Sequence, residues 1–298
     1  MKSTFEGYHP AVSFVYFACI LIFSMTLMHP AALALSILGS LCWTARLKGA
    51  GAMRRSLLFT LPMLGLAAFL NPAFNHEGAT ILAYLPSGNP LTLESILYGL
   101  AAAAMLAAVL CWFGCFNLVM TSDKLVYLFG RVIPALSLVL SMTLRFVPRF
   151  SRQLRAVLNA QRAAGRDMSA GPLISRARQG VRILSIMITW SLENAIDTAD
   201  SMKSRGYGLK GRTAFAVFRW GERDRAAMAA ILGLACYTAS MAAAKGLYCS
   251  YFPTFRIAPW DAWSASGLLA YAALCAAPMI IDIAEDRRWR GMGREAGR

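Results

Sequence analysis

Several kinds of chemistry are missing from this sequence. It has no GxxxxGK[ST] phosphate loop and no HExxH zinc pair, and its three His residues stand far apart at positions 9, 29 and 76. A nucleotide cradle of the P-loop type and the helical two-His zinc site are thereby excluded, and no enzyme constellation emerges. The seven Cys lie at 19, 42, 111, 115, 236, 249 and 275, with no CxxC pair. An odd number, mostly inside apolar stretches, gives no disulfide framework, and Cys111 and Cys115 are expected to face neighbouring helices rather than to bind zinc. Charge is also scarce: 15% of residues are charged against 57% hydrophobic, and the mean hydropathy is +0.50. These values exclude a disordered chain and an ordinary soluble domain, and they point to a polytopic membrane protein. No small-residue cleavage site follows a short apolar stretch before Pro30, so the first apolar run reads as a permanent span.

The net charge of +15 does not indicate nucleic acid, because Lys and Arg gather at the ends of apolar runs, where cytoplasmic retention of basic loops puts them. The first two spans are Pro10 to Met28 and Pro30 to Ala45, followed by a basic loop of Arg46, Lys48, Arg54 and Arg55. That loop marks the cytoplasmic side and implies that the first span begins there. A third span runs from Ser56 to Leu70, with Asn71-Pro72 as its stop. From Asn71 to Pro90 there is no Lys or Arg, so this is an outside loop. A fourth span, Leu91 to Phe116, is rich in Ala from Ala101 to Ala108, which suits close helix approach. The fifth and sixth spans are Ala226 to Ala244 and Ala262 to Ile281, joined by an outside turn, Tyr248 to Trp260, with aromatic residues suited to an interface. A tail with Arg287, Arg288, Arg290, Arg294 and Arg298 then lies inside.

Between the fourth and fifth spans the pattern changes. Residues 149 to 225 carry 15 of the 30 Lys and Arg with six acidic residues, and an isolated charge in hydrocarbon costs about 2.5 to 3.5 kcal/mol. The stretch is therefore a solvent-facing platform. The preceding run, Leu125 to Val147, contains Arg131, Pro134 and Arg145, and a crossing there would carry the basic platform outside. The preferred reading is a broken helix on or in the inner membrane surface, with a true crossing as the alternative. After Pro148, Arg149, Arg152 and Arg155 on one side and Leu154, Val157 and Leu158 on another predict an amphipathic helix. A second helix is predicted from Ile174 to Lys203. Taken alone, both helices also fit a surface-bound hairpin with Arg near lipid headgroups. Asp123-Lys124 is a solvated boundary pair or a brace of the broken helix against the platform. Three regions result: 1–124, membrane helices; 125–225, surface segment and basic helices; and 226–298, a helix pair with its basic tail. The fold class is all-α: a polytopic membrane protein with about six transmembrane helices and a cytoplasmic region of basic helices.

Four motifs in this order, Asn71-Pro72-Ala73-Phe74, Gly88-Asn89-Pro90-Leu91-Thr92-Leu93-Glu94-Ser95, Met120-Thr121-Ser122-Asp123-Lys124 and Leu144-Arg145-Phe146-Val147-Pro148, resemble the transmembrane T component of energy-coupling factor transporters. That family includes the permease subunit of cobalt and nickel uptake systems, and the resemblance extends across nearly the whole chain. Ser204-Arg205-Gly206 is similar to the family's second coupling motif, usually Ala-Arg-Gly. The first departs from it: Ala163-Ala164-Gly165 stands where Ala-Arg-Gly is usual, with Arg162 and Arg166 adjacent.

The resemblance implies a coupling subunit of a multi-pass importer in a bacterial or archaeal cytoplasmic membrane, with both termini cytoplasmic. Its implied partners are two cytoplasmic ATP-binding subunits and a membrane S component that binds a vitamin or a transition-metal ion. ATP and Mg would be bound by the partners, with no cofactor on this chain and no nucleic acid. Arg205, Ser204, Gly206, Arg162, Gly165 and Arg166 would couple to the ATPases, with Asp123, Lys124, Arg145 and Pro148 as support. The alternative is a secondary transporter or channel handling its own solute, which calls for polar or charged groups near midplane, whereas most here lie at span ends.

Overall fold

A computed structural model describes residues 4–84, 90–130, 133–166, 172–207, 209 and 218–295. A 3-10 turn, Thr4–Gly7, precedes α1 (Pro10–Thr26), and α2 (Pro30–Lys48) follows. Both helices begin on the same device: the Nδ1 of His9 or His29 accepts from the main-chain N–H two residues on, and a proline follows directly. Proline there gives up only an N–H that has no partner within the helix. The basic loop expected at 46–55 is not a loop. Gly49 alone separates α2 from α3 (Ala50–Phe74), so Arg46 and Lys48 close one helix while Arg54 and Arg55 lie early in the next.

Asn71-Pro72 does not stop α3 either; the helix runs on to Phe74. Pro72 removes one donor from the ladder, yet Asn71 keeps its ordinary helical bond and adds a side-chain one. Its carbonyl accepts from Asn75 N at 2.8 Å, and its side-chain Nδ2 donates to Ser95 O at 2.7 Å. Strands β1 (Ile81–Tyr84) and β2 (Pro90–Thr92) then form an antiparallel ribbon with Ala83 opposite Leu91. The Gly88-Asn89 part of the motif lies outside the described residues. Thr92 Oγ1 accepts from Ser95 N to cap α4 (Leu93–Val119), and Glu94 accepts from both the amide and the hydroxyl of Thr80. The motif residues Asn71, Thr92, Glu94 and Ser95 thus tie the ends of two helices to the ribbon between them.

The remaining elements are α5 (Ser122–Gly130), α6 (Pro134–Ala163), α7 (Leu173–Ser204), α8 (Glu222–Ala243), a ribbon of β3 (Cys249–Ser250) and β4 (Arg256–Ile257), and α9 (Ala262–Glu295). The chain divides into two compact units, residues 1–125 with 218–298, and residues 126–217.

In the first unit, α2, α3, α4, α8 and α9 are long and apolar enough to cross a membrane, and α1, at 17 residues, is a shorter apolar helix. This is a polytopic helical bundle of the size expected. The run 125–147 is divided between α5 and α6, neither of which is in that set. Arg131 lies outside the described residues.

Lipid offers helices no hydrophobic reason to associate, so close packing must hold them. The Ala run supplies it: Ala101, Ala103, Ala107 and Ala108 are buried in α4, which packs against α1, α2 and α3. Gly99 permits the α3 contact, since a Cβ there would stand 2.8 Å from the Cβ of Asn71. At the centre Trp43 stacks on Phe17 at 5.6 Å and meets Tyr16, Phe5 and Trp112 at 5.7–6.2 Å. Several polar groups in this core pair with one another. Trp112 Nε1 donates to Ser36 Oγ at 2.9 Å, and Ser24 shares hydrogen bonds with Ser36 and Tyr271. Cys111 and Cys115 are buried, with Cys115 Sγ 3.2 Å from Thr44 Oγ1.

Candidate functional site

The second unit is built on two amphipathic helices. Along α6, Leu154, Val157 and Leu158 are half-buried while Arg152 and Arg155 are exposed, as the predicted pattern requires. Pro148 does not divide it; α6 is continuous from Pro134 to Ala163, with Pro148 inside and exposed. On α7, Ile183, Met187 and Asn194 are buried, a spacing that marks one face. Near that face Trp190 lies 6.3 Å from Phe150, and the Arg149 guanidinium stands 5.7 Å from its ring centroid. Away from it, Leu184, Ile188, Leu192 and Ile196 follow one another at four-residue intervals and are exposed by 51–63%.

Both helices end in the same hydrogen-bonded structure. At the end of α6, Gly165 N donates to Arg162 O at 3.0 Å and Arg166 N donates to Gln161 O at 2.9 Å, with Gly165 at φ +75°. At the end of α7, Gly206 N donates to Lys203 O at 2.9 Å and Tyr207 N donates to Met202 O at 3.0 Å, with Gly206 at φ +77°. This is the Schellman closure, in which a residue in the left-handed region satisfies the last carbonyls. The two motifs can therefore be aligned by structure. Ala164 and Arg205 occupy the same C-cap position, Arg162 matches Lys203, and Arg166 matches Tyr207.

Arg205 and Ser204 are exposed, and the Ser204 hydroxyl donates back to Ser201 O at 2.9 Å. Arg162 and Arg166 are exposed on either side of the Ala164 cap. The substitution that sets the first motif apart thus falls on the cap residue itself, and Arg162 and Arg166 each stand two positions from it. Gly208, the last residue of the second motif, lies outside the described residues.

The helix ends also set a local prediction. A side chain at a left-handed position costs about 1–2 kcal/mol, and a Cβ at Gly206 would in addition lie 3.1 Å from Leu209 Cδ1, whereas one at Gly165 meets nothing within 4 Å. Gly206→Ala is expected to fray the last turn of α7 more than Gly165→Ala frays α6. Amide hydrogen exchange at Tyr207 and Arg166 checks this; equal protection in wild type and both variants would contradict it.

Of the four supporting residues, Arg145 and Pro148 belong to the second unit and Asp123 and Lys124 to the first. Arg145 is exposed on α6 with Pro148 one turn further on. Asp123 is exposed, but its neighbour is not a solvated partner. Lys124 is 6% exposed, and its Nζ donates to Glu6 O at 2.6 Å and to Val119 O at 3.0 Å. Burial lowers its pKa from the ordinary lysine value, opposed in part by the charge of Glu6. Because a carbonyl accepts the ammonium, the pairing could not be read from charge pattern. Asp224 and Asp282 are also buried, and neither is among the site residues that the sequence suggests. Asp282 had a signal: an acidic residue between Ile281 and Ile283 in an apolar helix asks for a partner.

The fold and these helix ends agree with what the sequence matches. A family model described as cobalt transport protein, CbiQ, matches residues 8–215, which include both helix ends. Among curated relatives, an energy-coupling factor transporter transmembrane protein EcfT from Lactobacillus helveticus is 40% identical over 103 residues, covering 34% of this chain and 37% of that protein. The EcfT of Exiguobacterium sibiricum is 37% identical over 90 residues, covering 30% and 34%, and that of Lactococcus lactis is 36% identical over 98 residues, covering 33% and 37%. The chain thus aligns with little more than a third of the length of the first two relatives. The family match takes in well over half of the chain, and on that ground this protein belongs to the CbiQ/EcfT family of transmembrane (T) components of energy-coupling factor transporters.

Proposed function

We propose that this chain is the membrane coupling subunit of an energy-coupling factor importer for a vitamin or a transition-metal ion. Two ATP-binding partner subunits dock on the ends of α6 and α7, and an S component that carries the substrate packs in the membrane beside the bundle. The observation that carries this reading is the pair of matching helix closures in one unit, each presenting guanidinium groups to solvent. A guanidinium at a helix end makes several directed, charge-assisted hydrogen bonds to carboxylates or carbonyls of a partner groove. The packed helix behind it carries displacement, because helices move as stiff bodies when their faces are held.

Hydrolysis belongs to the partners, which hold ATP and Mg; this chain acts by moving. The exposed stripe Leu184, Ile188, Leu192 and Ile196 gives the S component an apolar surface. Purification of the complex from its native membrane is expected to bring down two nucleotide-binding proteins, and the isolated chain is expected to show no specific ATP hydrolysis. Turnover by the contaminant-free chain would overturn this division of labour.

The same reading places the coupling unit in the cytoplasm and the 71–90 connection outside. Gly78 is a poor probe site, because its φ is +142° and a Cβ there would come 2.6 Å from Glu94. Glu77 and Ser201 are exposed. In a chain without native Cys, Glu77→Cys and Ser201→Cys are expected to label from opposite faces of the membrane; labelling from one face would reverse the assignment.

A further inference from the structure

The chain leaves the membrane unit after Leu125 and returns to it at Phe218. Both passages converge on one short segment that precedes α1. At the exit, the buried Lys124 donates to Glu6 O at 2.6 Å. At the return, His9 stacks on Trp220 at 4.3 Å and meets Phe218 edge-on at 6.4 Å, while Asp224 Oδ1 accepts from His9 N at 3.1 Å. The other oxygen of Asp224 accepts from Gly221 N at 2.9 Å, which caps α8 at the point of return.

A third tie comes from α9: Asp282 Oδ1 accepts from Phe5 N at 3.1 Å. Arg223 pairs with Glu285 at 2.7 Å and lies 4.4 Å over the Tyr8 ring. Phe5, with no exposed surface, is anchored edge-on against Tyr16 and Trp43 in the bundle core. Three charged side chains from α5, α8 and α9 therefore grip main-chain atoms of three residues, Phe5, Glu6 and His9, and aromatic contacts hold Phe5 from the core side. Main-chain atoms are gripped, so the side chain of half-buried Glu6 matters less than the charged groups that reach the segment.

We propose that segment Thr4–His9 is a clamp that fixes both chain passages of the coupling unit to the membrane bundle, making Lys124 and Asp224 positioning residues for energy transfer. This rests on the coupling role proposed above. A coupling unit joined by two chain passages transmits displacement only if both are held against the same body; with one loosened, motion of its helices is absorbed in the connection. Hydrogen bonds to buried charged groups suit the task, since their acceptors and donors have no water to exchange with.

The test uses the complete complex with its native ATPases in lipid nanodiscs, with spin labels on the exposed Cys42 and on Ser201→Cys, the other cysteines being replaced. Lys124→Met and Asp224→Ala are compared with Glu6→Gln, which keeps the gripped carbonyl. Asp224→Ala removes the acceptor of the His9 amide, whose exchange is expected to rise about tenfold or more, the scale of a lost hydrogen bond to a charged group. Lys124→Met, which frees the Glu6 carbonyl, is expected to raise exchange at Phe5 and His9 as the segment opens. The affinity of both variants for the ATPases should stay at the wild-type value, while the population showing the ATP-dependent change in label separation falls about two- to thirtyfold. Glu6→Gln should match wild type.

Unchanged amide protection, or a full ATP-dependent change despite lost protection, would overturn the clamp. A chain that fails to insert in both variants would make the segment a folding element only and overturn it as well. If the wild-type chain recruits no ATPase, the coupling role fails, and amide exchange alone then decides whether the segment is clamped.

Discussion

Replacing Arg205 by Ala is expected to weaken docking of the ATPase subunits by about 2–5 kcal/mol, the loss found when one partner of a desolvated, hydrogen-bonded charge pair is removed. The effect should be specific to assembly and coupling. Within this chain Arg205 is an exposed C-cap residue whose backbone closes on Lys203. Its charge favours the helix C-terminus by only about 0.3–1 kcal/mol, so the thermal stability of the isolated chain should hardly change. An arginine that served only the helix end would show the opposite ratio, with a small loss in both assays.

Arg205→Lys keeps the charge without the planar fork and should recover part of the affinity. In the first motif Ala164 occupies the same cap position, and on the proposed reading Arg162 and Arg166 are expected to share the task there. Each single replacement by Ala should weaken docking less than Arg205→Ala, and the double replacement more than either. Titration of the purified chain with its ATPases supplies all of these numbers.

Trp43→Ala is expected to lower the stability of the bundle by about 3–5 kcal/mol, the range for emptying a large aromatic site. Trp43 has no exposed surface and touches four aromatic rings from three parts of the chain. Inside a membrane the cost is chiefly lost packing, because the lipid-exposed alternative is equally apolar. Trp43→Phe should behave differently. The Trp43 Nε1 is buried without a hydrogen-bond partner among the described residues, so Phe removes that unmet donor while filling much of the space, and a change under about 1.5 kcal/mol is expected. Thermal unfolding of both variants in detergent separates the two outcomes; equal losses would show that the indole N–H is satisfied after all.

The helices and their ends were open to sequence reasoning where the signal was local. The predicted 174–203 helix is found as Leu173–Ser204, because apolar periodicity and a following glycine both report on the chain within one turn. The Ala run of α4 likewise announced close packing. What escaped depends on distant partners. Asn71-Pro72 reads as a stop because a proline weakens a helix, yet α3 runs on to Phe74 with Asn71 tied to Ser95 of another helix. Lys124 looked like a surface residue because its neighbours are polar, and only the fold brings the carbonyl of Glu6 to it. The basic stretch at 46–55 reads as a loop when charge is equated with exposure, although a single glycine is enough to join two helices there. The shared closure of α6 and α7 was half legible. The glycines mark it, but the equivalence of Ala164 with Arg205 needs the hydrogen bonds that place both at the cap.

The central claim is that this chain turns ATP hydrolysis in its partners into transport. The most direct measurement is uptake of the cargo that co-purifies with the S component, per ATP hydrolysed, in vesicles holding matched amounts of intact wild-type or Arg205→Ala complex. Hydrolysis that continues with uptake per ATP sharply reduced, or a complex that no longer holds its ATPases, is the expected result. Wild-type uptake per ATP together with wild-type assembly affinity in the Arg205→Ala complex would contradict it.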